Sequence, residues 1–318
     1  MRREFTLPAE NEKAQGKIMA DLLTPEMMLL LIDIHSRRIP ELFPDQQHRG
    51  NGKCLYINYC IQGRCELKLK NGEVTYLEGG ELAVDTGQAY HENSTFYYPT
   101  AEYEGVELFF CINEALEDRL RIGTGHFTEP KELYEKCSVQ ERPCIIVPSD
   151  FLKERIKSLK QEEGKALPDK ARLLGAAEIL ILLNGLSFEK EVRRIYYTPS
   201  QVQIAKSVME TITADLSKRY SAAEFAKRFG VSETSIKNYF KGVYGCGYSE
   251  FQTKLRMEQA ACLLKTTRRK VSEIAAIVGF SNQSKFAKIF GDCFGVSPLE
   301  YRRRENLKDG KQPEKIHG

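Results

Sequence analysis

The chain has 318 residues, 42% of them hydrophobic and 29% charged, with 47 Lys+Arg against 44 Asp+Glu for a net charge of +3. That length suits two domains, and that balance fills real cores, which excludes a disordered chain. No apolar run approaches the ~18 residues of a membrane span, and Met1-Arg2-Arg3-Glu4 opens without the apolar core of a secretion signal, so a cytoplasmic protein without a membrane partner is expected.

Nine cysteines (54, 60, 65, 111, 137, 144, 246, 262 and 293) are odd in number, form no Cys-x-x-Cys and have no histidine at zinc-ligand spacing. Reduced thiols are the expectation. Charge is divided unevenly. From Thr198 onward 21 Lys+Arg stand against 12 Asp+Glu, a net of +9, whereas residues 1–197 hold 26 against 32, a net of −6. An acidic front and a basic back suggest that only the back half meets a polyanion.

Residues 1–147 carry short β-compatible runs at 27–34, 54–61, 64–70, 73–77, 81–84 and 106–112, punctuated by Gly and Asn. Asn71-Gly72 between two such runs is the strongest hairpin signal. With no long helices between them, these strands predict a small barrel or sandwich. After Pro148, Ser149 or Asp150 can cap a helix to about Leu159. A second helix over 169–186 is apolar around much of its circumference, enough to be covered by the barrel alone or by the barrel and a second subunit. Residues 148–197 therefore form a helical connector and possible dimerisation region.

Beyond Ser200 the pattern is helical and repeats. Residues 225–240 and 274–290 align, with Ala226, Gly230 and Ser232 over Ala275, Gly279 and Ser281, then Phe240 and Gly245 over Phe290 and Gly295. Each copy reads as helix, tight turn, helix. In the first, Phe225, Ala226, Phe229, Ile236, Tyr239 and Phe240 face inward, Gly230 makes the turn and Ser232 caps the second helix, leaving Thr234, Lys237, Asn238 and Lys241 on one polar face. In the second, Ile274, Val278, Phe280, Phe286, Ile289 and Phe290 form the core and Gln283, Ser284, Lys285 and Lys288 face out. One α-helix fits the DNA major groove, where Asn, Gln, Lys and Ser pair with base edges or phosphates. A helix over 248–265, ~27 Å long, with Phe251, Leu255, Ala260, Leu263 and Leu264 inward, would hold the two copies about one DNA turn (~34 Å) apart.

Residues 200–304 resemble the DNA-binding domain of the AraC/XylS family of bacterial transcription regulators. The resemblance rests on the paired turns, on Arg256, Ala260 and Leu263-Leu264, on Ser272 to Ala275, on Val278-Gly279-Phe280, on Asn282, Ser284, Phe286 and Phe290, and on Gly295, Ser297-Pro298 and Tyr301-Arg302. It implies base contacts from Thr234, Lys237, Asn238, Gln283, Ser284 and Lys288, and phosphate contacts from Ser232, Lys241, Asn282 and Lys285. Tyr248 in place of a usual proline, and Gly291-Asp292 in place of a basic pair, depart from the pattern and imply a weaker phosphate grip by the second copy. The front half more loosely resembles the cupin-like sensor barrel of the same family, which implies an unidentified small-molecule effector near Tyr56, Asn58 and His91.

An alternative class joins this DNA-binding domain to a cysteine-based alkyl-transfer enzyme or a cupin enzyme. Pro143-Cys144 is followed by apolar Ile145-Ile146-Val147, which supplies no base or ligand, and His35, His48 and His91 are isolated. No enzyme, cofactor or metal is expected. The expected fold is α+β in two domains: a cupin-like sensor at 1–147, the connector at 148–197, a double helix-turn-helix domain at 198–304 and a polar tail at 305–318. The expected partners of this activator are operator DNA, the effector, a second copy as homodimer, and RNA polymerase.

Overall fold

Residues 2–6, 15–38, 52–87, 97–124, 130–138, 142–161, 168–186 and 194–308 are described in the computed structural model. The chain divides into two units, Met1–Pro199 and Ser200–Gly318.

The first unit is built on an antiparallel sheet of β1 (Arg2–Thr6), β2 (Gln15–Thr24), β3 (Met27–His35), β4 (Cys54–Lys68), β5 (Val74–Glu78), β6 (Leu82–Asp85), β7 (Tyr103–Cys111) and β8 (Cys144–Ile146). Their order is β1-β2-β3-β7-β4-β6-β8, with β5 on β4. Among the described residues no pairing joins β1 to β8, so the ladder is open. Side chains alternate between faces along each strand. Met27, Leu29, Leu55, Ile57, Leu82, Val84, Val106, Leu108 and Phe110 share one core with apolar residues of α1 (Glu114–Thr124), α2 (Pro130–Ser138), α3 (Asp150–Gln161) and α4 (Pro168–Asn184). The opposite face gathers Ile32, Ile34, Cys60, Cys65, Leu67, Ala83, Tyr103 and Ile145.

Three expectations change here. The runs at 54–61 and 64–70 are one strand of 15 residues. A bulge between Cys60 and Gln62 bends it from its pairing with β6 and β7 toward β5. Gly63 makes this possible: at φ +91° it lies so close to β7 that a Cβ would meet the Glu102 carbonyl oxygen at 2.0 Å. The hairpin at Asn71-Gly72 has a three-residue loop, because Leu69 N–H donates to Glu73 O (2.8 Å) and Gly72 takes the left-handed position at φ +84°. Helices α1 and α2 stand where none was expected. Among the described residues few are buried (Leu116 and Leu120 in one, Pro130, Leu133, Tyr134 and Cys137 in the other) and their flanks are charged, so the helical period is faint in the sequence. Strands β1, β2 and β8 were also unmarked.

Residues 194–197 add an edge to β5. Tyr197 N–H donates to Val74 O (2.8 Å) and Val74 N–H to Tyr197 O (2.9 Å). Thr75 Oγ1 donates to Ile195 O (3.2 Å), and Arg194 Nη1 to Tyr76 O (2.9 Å). The chain ahead of the second unit is thus held to the first unit's sheet by an isolated β-bridge, Val74 with Tyr197, and two side-chain hydrogen bonds.

The second unit holds α5 (Pro199–Ala214), α6 (Ala222–Phe229), α7 (Glu233–Tyr244), α8 (Tyr248–Thr266), α9 (Val271–Ile277), α10 (Gln283–Phe294) and α11 (Pro298–Lys308). Helix α8 has 19 residues, one more than the sequence predicts. It carries two cores. Phe251 faces Phe240 and Tyr244 of α7. Met257, Ala260, Ala261 and Leu264 cluster with Ile274, Val278, Phe286 and Phe290.

Candidate nucleic-acid interface

Both copies of the repeat fold as helix, turn, helix, and local chemistry sets each boundary. Ser221 and Glu224 make a capping box at the start of α6: Ser221 N–H donates to Glu224 Oε2 (2.7 Å) and Glu224 N–H to Ser221 Oγ (3.2 Å). The hydrogen bonds received from Ser221 hold the Glu224 carboxyl below its ordinary pKa. Ser232 Oγ accepts from Ser235 N–H (3.0 Å) at the start of α7, and Asn282 Oδ1 accepts from Lys285 N–H (2.9 Å) at the start of α10. Gly245 and Gly295 close α7 and α10 in left-handed geometry.

Phe225, Ile236 and Phe240 are buried, while Ala226, Phe229 and Tyr239 are half-buried. In the second copy Ile274, Val278, Phe280, Phe286 and Phe290 are buried and Ile289 is half-buried. Ser232, Thr234, Lys237, Asn238 and Lys241 are all exposed, as are Asn282, Gln283, Ser284, Lys285 and Lys288. Lys237 stands 3.9 Å from Glu233, a loose exposed pair. Among the described residues Lys241, Lys285 and Lys288 take part in no ion pair. Asp292 is exposed on α10 and subtracts positive charge from that helix. Each face therefore offers amide, hydroxyl and ammonium groups together, a set able to donate to phosphate oxygens and to pair with base edges.

The duplication reaches further than sequence comparison showed. Phe240, Tyr244 and Phe251 form a ring triangle with centroid distances of 4.6, 5.3 and 5.3 Å. Fifty residues later Phe290, Phe294 and Tyr301 form another, at 4.5, 5.4 and 5.2 Å. Gln252 Nε2 donates to Lys218 O (2.8 Å), just ahead of α6. Arg302, again fifty residues on, donates to Leu264 O through Nε (3.3 Å) and to Arg269 O through Nη2 (2.6 Å), just ahead of α9. Each module's trailing helix thus holds the basic loop ahead of its leading helix, and places Lys218 and Arg219, or Arg268 and Lys270, at that helix's start. Lys218 and Arg219 are exposed and were missed in the sequence, where exchange of Phe for Tyr and of Gln for Arg hid the correspondence.

In the first unit, Tyr56 and Asn58 point to the same face of β4, away from the helix-covered core. The Tyr56 ring meets Phe109 edge-on at 5.1 Å, and Asn58 Oδ1 accepts from the Tyr103 hydroxyl at 2.7 Å. Burial pushes the Tyr103 phenol well above its ordinary pKa, so it stays a donor. Across the strands Asp85 neighbours Tyr56, and Glu107 neighbours Asn58. His91 and His48 lie outside the described residues. Cys144 is buried in β8. Among the described residues no cluster of His, Cys, Asp or Glu could hold a metal ion, and no helix is long and apolar enough to cross a membrane.

Comparison with known proteins agrees with this geometry. Residues 225–304 match the family described as a helix-turn-helix domain. The chain is 26% identical over 153 residues to the HTH-type transcriptional activator RhaR of Mannheimia succiniciproducens, covering 48% of this chain and 54% of the relative. It is 28% identical over 125 residues to the transcriptional activator AggR of Escherichia coli, covering 39% of this chain and 47% of the relative. The match thus spans about half the length of each. Among solved structures, an AraC-type DNA-binding-domain transcriptional regulator from Chromobacterium violaceum is 28% identical, covering 33% of this chain and 91% of that one with a TM-score of 0.29.

Proposed function

The chain belongs to the AraC/XylS family of transcription regulators, and from that premise we propose that it is a sequence-specific DNA-binding regulator of transcription, an activator by likeness to its relatives. The observation that carries this reading is the pair of turn motifs with exposed Thr234, Lys237, Asn238 and Gln283, Ser284, Lys288 on outward faces, in the basic half of the chain. Helices α7 and α10 enter successive major grooves, joined by α8, whose 19 residues span ~28 Å at 1.5 Å each. Ser232, Lys241, Asn282 and Lys285 hold phosphates.

The first unit is the sensor. Its open sheet is a cupin-like scaffold that takes a small effector near Tyr56 and Asn58, the family resemblance adding His91 as a further candidate, and residues 148–197 connect it to residues 198–304 and pair two copies. An effector that prefers one arrangement of the sensor shifts how the DNA-binding domains are presented, to operator DNA and to RNA polymerase. One that binds both arrangements equally switches nothing. The protein works in the cytoplasm with no catalytic role.

The test is selection of duplexes from a random-sequence pool by the full chain, over a series of salt concentrations. Enrichment of an asymmetric site with two boxes about one helical turn apart (~10 base pairs) supports the reading. Retention without enrichment that vanishes as salt rises leaves only a basic surface and overturns it.

A further inference from the structure

Gly230 and Gly279 occupy the same place in the two copies of the repeat, and both are left-handed, at φ +66° and +81°. Their surroundings differ. A Cβ on Gly230 would meet nothing within 4 Å, whereas one on Gly279 would lie 2.4 Å from Ser217 O and 2.9 Å from Arg256 Nη2. Ser217 belongs to the loop ahead of α6, in the first module. The turn of the second module is therefore seated on the first, and glycine is required there by contact as well as by φ.

Arg256 completes the joint. It projects from α8 and is 3% exposed. Its Nε donates to Leu216 O (2.7 Å) and its Nη2 to Lys218 O (2.9 Å), both in that same loop. The guanidinium also lies 5.8 Å from the centre of the Phe280 ring, the residue after Gly279. Gln252 and Arg302 each hold a loop of their own module, but Arg256 bonds the first module's loop while lying on the second module's turn. A buried guanidinium whose fork is filled by carbonyls resists displacement, because moving it strands charge and acceptors together. Lysine cannot reproduce the fork.

We propose that Gly279 and Arg256 form a bearing between the two helix-turn-helix modules, and that this bearing sets the spacing of the two DNA boxes the protein reads. The inference rests on the assignment of α7 and α10 to base reading. Its physical content is rigidity. Each base pair inserted between boxes moves the second by about 3.4 Å and about 35° around the duplex axis, and a stiff pair of recognition helices cannot follow.

The test uses the full chain and the duplex that the wild-type protein selects, together with copies carrying one or two extra base pairs between the boxes and a copy with the second box scrambled. Gly230→Ala serves as the control for backbone strain, since it places alanine at the same left-handed position in open space. Wild type and Gly230→Ala should lose at least ~10-fold in affinity on a single insertion. Gly279→Ala and Arg256→Lys should bind the unmodified duplex ~10-fold more weakly, change less than ~3-fold on insertion, and retain wild-type affinity for the scrambled-box duplex. Spacing dependence as steep as wild type in Gly279→Ala and Arg256→Lys overturns the bearing, as does equal flattening by Gly230→Ala. A wild-type protein that selects a two-box duplex yet tolerates insertions also overturns the bearing but leaves the DNA reading intact. Failure to select any two-box duplex removes that reading and the bearing with it.

Discussion

Arg172 Nη1 donates to Asp21 Oδ2 at 3.0 Å inside the first unit, and both side chains are closed off from solvent. The Arg172 Nε also donates to Leu159 O (3.3 Å), so one guanidinium ties β2 to α3 and α4. Removing the carboxylate alone strands a buried charge. Asp21→Ala should therefore cost about 3–5 kcal/mol, while Asp21→Leu combined with Arg172→Met should cost much less. Urea unfolding followed by circular dichroism decides this, and a loss below about 1 kcal/mol for Asp21→Ala would show that the pair contributes little.

On the recognition faces, base and phosphate contacts should separate by their salt dependence. Asn238→Ala and Gln283→Ala are expected to cost about 1–3 kcal/mol on the selected duplex and to relax preference at one base position each. Lys241→Ala and Lys285→Ala should weaken binding to all sequences alike and reduce the salt slope by about 1. Titrations at several salt concentrations distinguish the two patterns; equal slopes for all four variants would contradict the assignment.

The β-bridge at Tyr197 leaves Thr198 alone between it and Pro199, where α5 begins. Tyr197→Pro deletes the N–H that bonds Val74 O. Hydrogen exchange at the Val74 amide, which donates to Tyr197 O, should then speed by at least ~10-fold as local opening becomes easier. Unchanged exchange would mean that the Arg194 and Thr75 hydrogen bonds suffice to hold this segment.

Thiol chemistry should follow burial. Desolvation pushes the Cys54 thiol up to about 11 and Cys60 up to about 12, and Cys65 is raised well above its ordinary value. Cys262 and Cys293 are exposed. Iodoacetamide at neutral pH should alkylate Cys262 and Cys293 in the native protein and spare Cys54, Cys60 and Cys65 until urea is added. Peptide mass spectrometry reads the order directly, and early labelling of Cys60 would contradict the packing.

Acid should weaken the start of α6. The Glu224 carboxyl has a depressed pKa in the folded state, so its contribution is present above the ordinary carboxylate value and is lost as pH falls through the depressed one. The window therefore opens at the ordinary carboxylate value, about 4.3, and extends below it. Glu224→Gln should flatten the fall in thermal stability on the acid side of that value, and an unchanged acid limb would rule out this cap as a contributor.

Much of the second unit was legible because helical period and turn chemistry are local. Gly230, Gly279, Gly245 and Gly295 all take the left-handed conformation, and the polar faces of α7 and α10 are exposed as their spacing predicts. Arg256 and Gln252 were not legible as buried residues. In sequence Arg256 stands only as part of the family resemblance and Gln252 carries no signal; what buries them is a set of carbonyls at Leu216, Ser217 and Lys218, 34 to 40 residues earlier. The stripe on α8 was also too narrow as read, because the helix serves two cores and buries Met257 and Ala261 besides Ala260 and Leu264.

The first unit shows the opposite balance. Short β-compatible runs bounded by Gly and Asn located β3, β6 and β7, but β1 and β2, with Lys17, Asp21 and flanking polar residues, gave no such run. Their places come from backbone pairing with neighbouring strands, Asp21 opposite Leu29 and opposite Arg2, and that pairing leaves no apolar period in β1 or β2 themselves. By itself, then, the sequence determined the repeat, its turns, its outward chemistry and its family, since each depends on side chains within a few residues of one another. Only the tertiary structure decided which charges are buried, that Gly279 differs from Gly230, and that the chain ahead of α5 pairs with β5. Those depend on carbonyls and edges brought together by folding, and no local pattern encodes where a distant backbone group will stand.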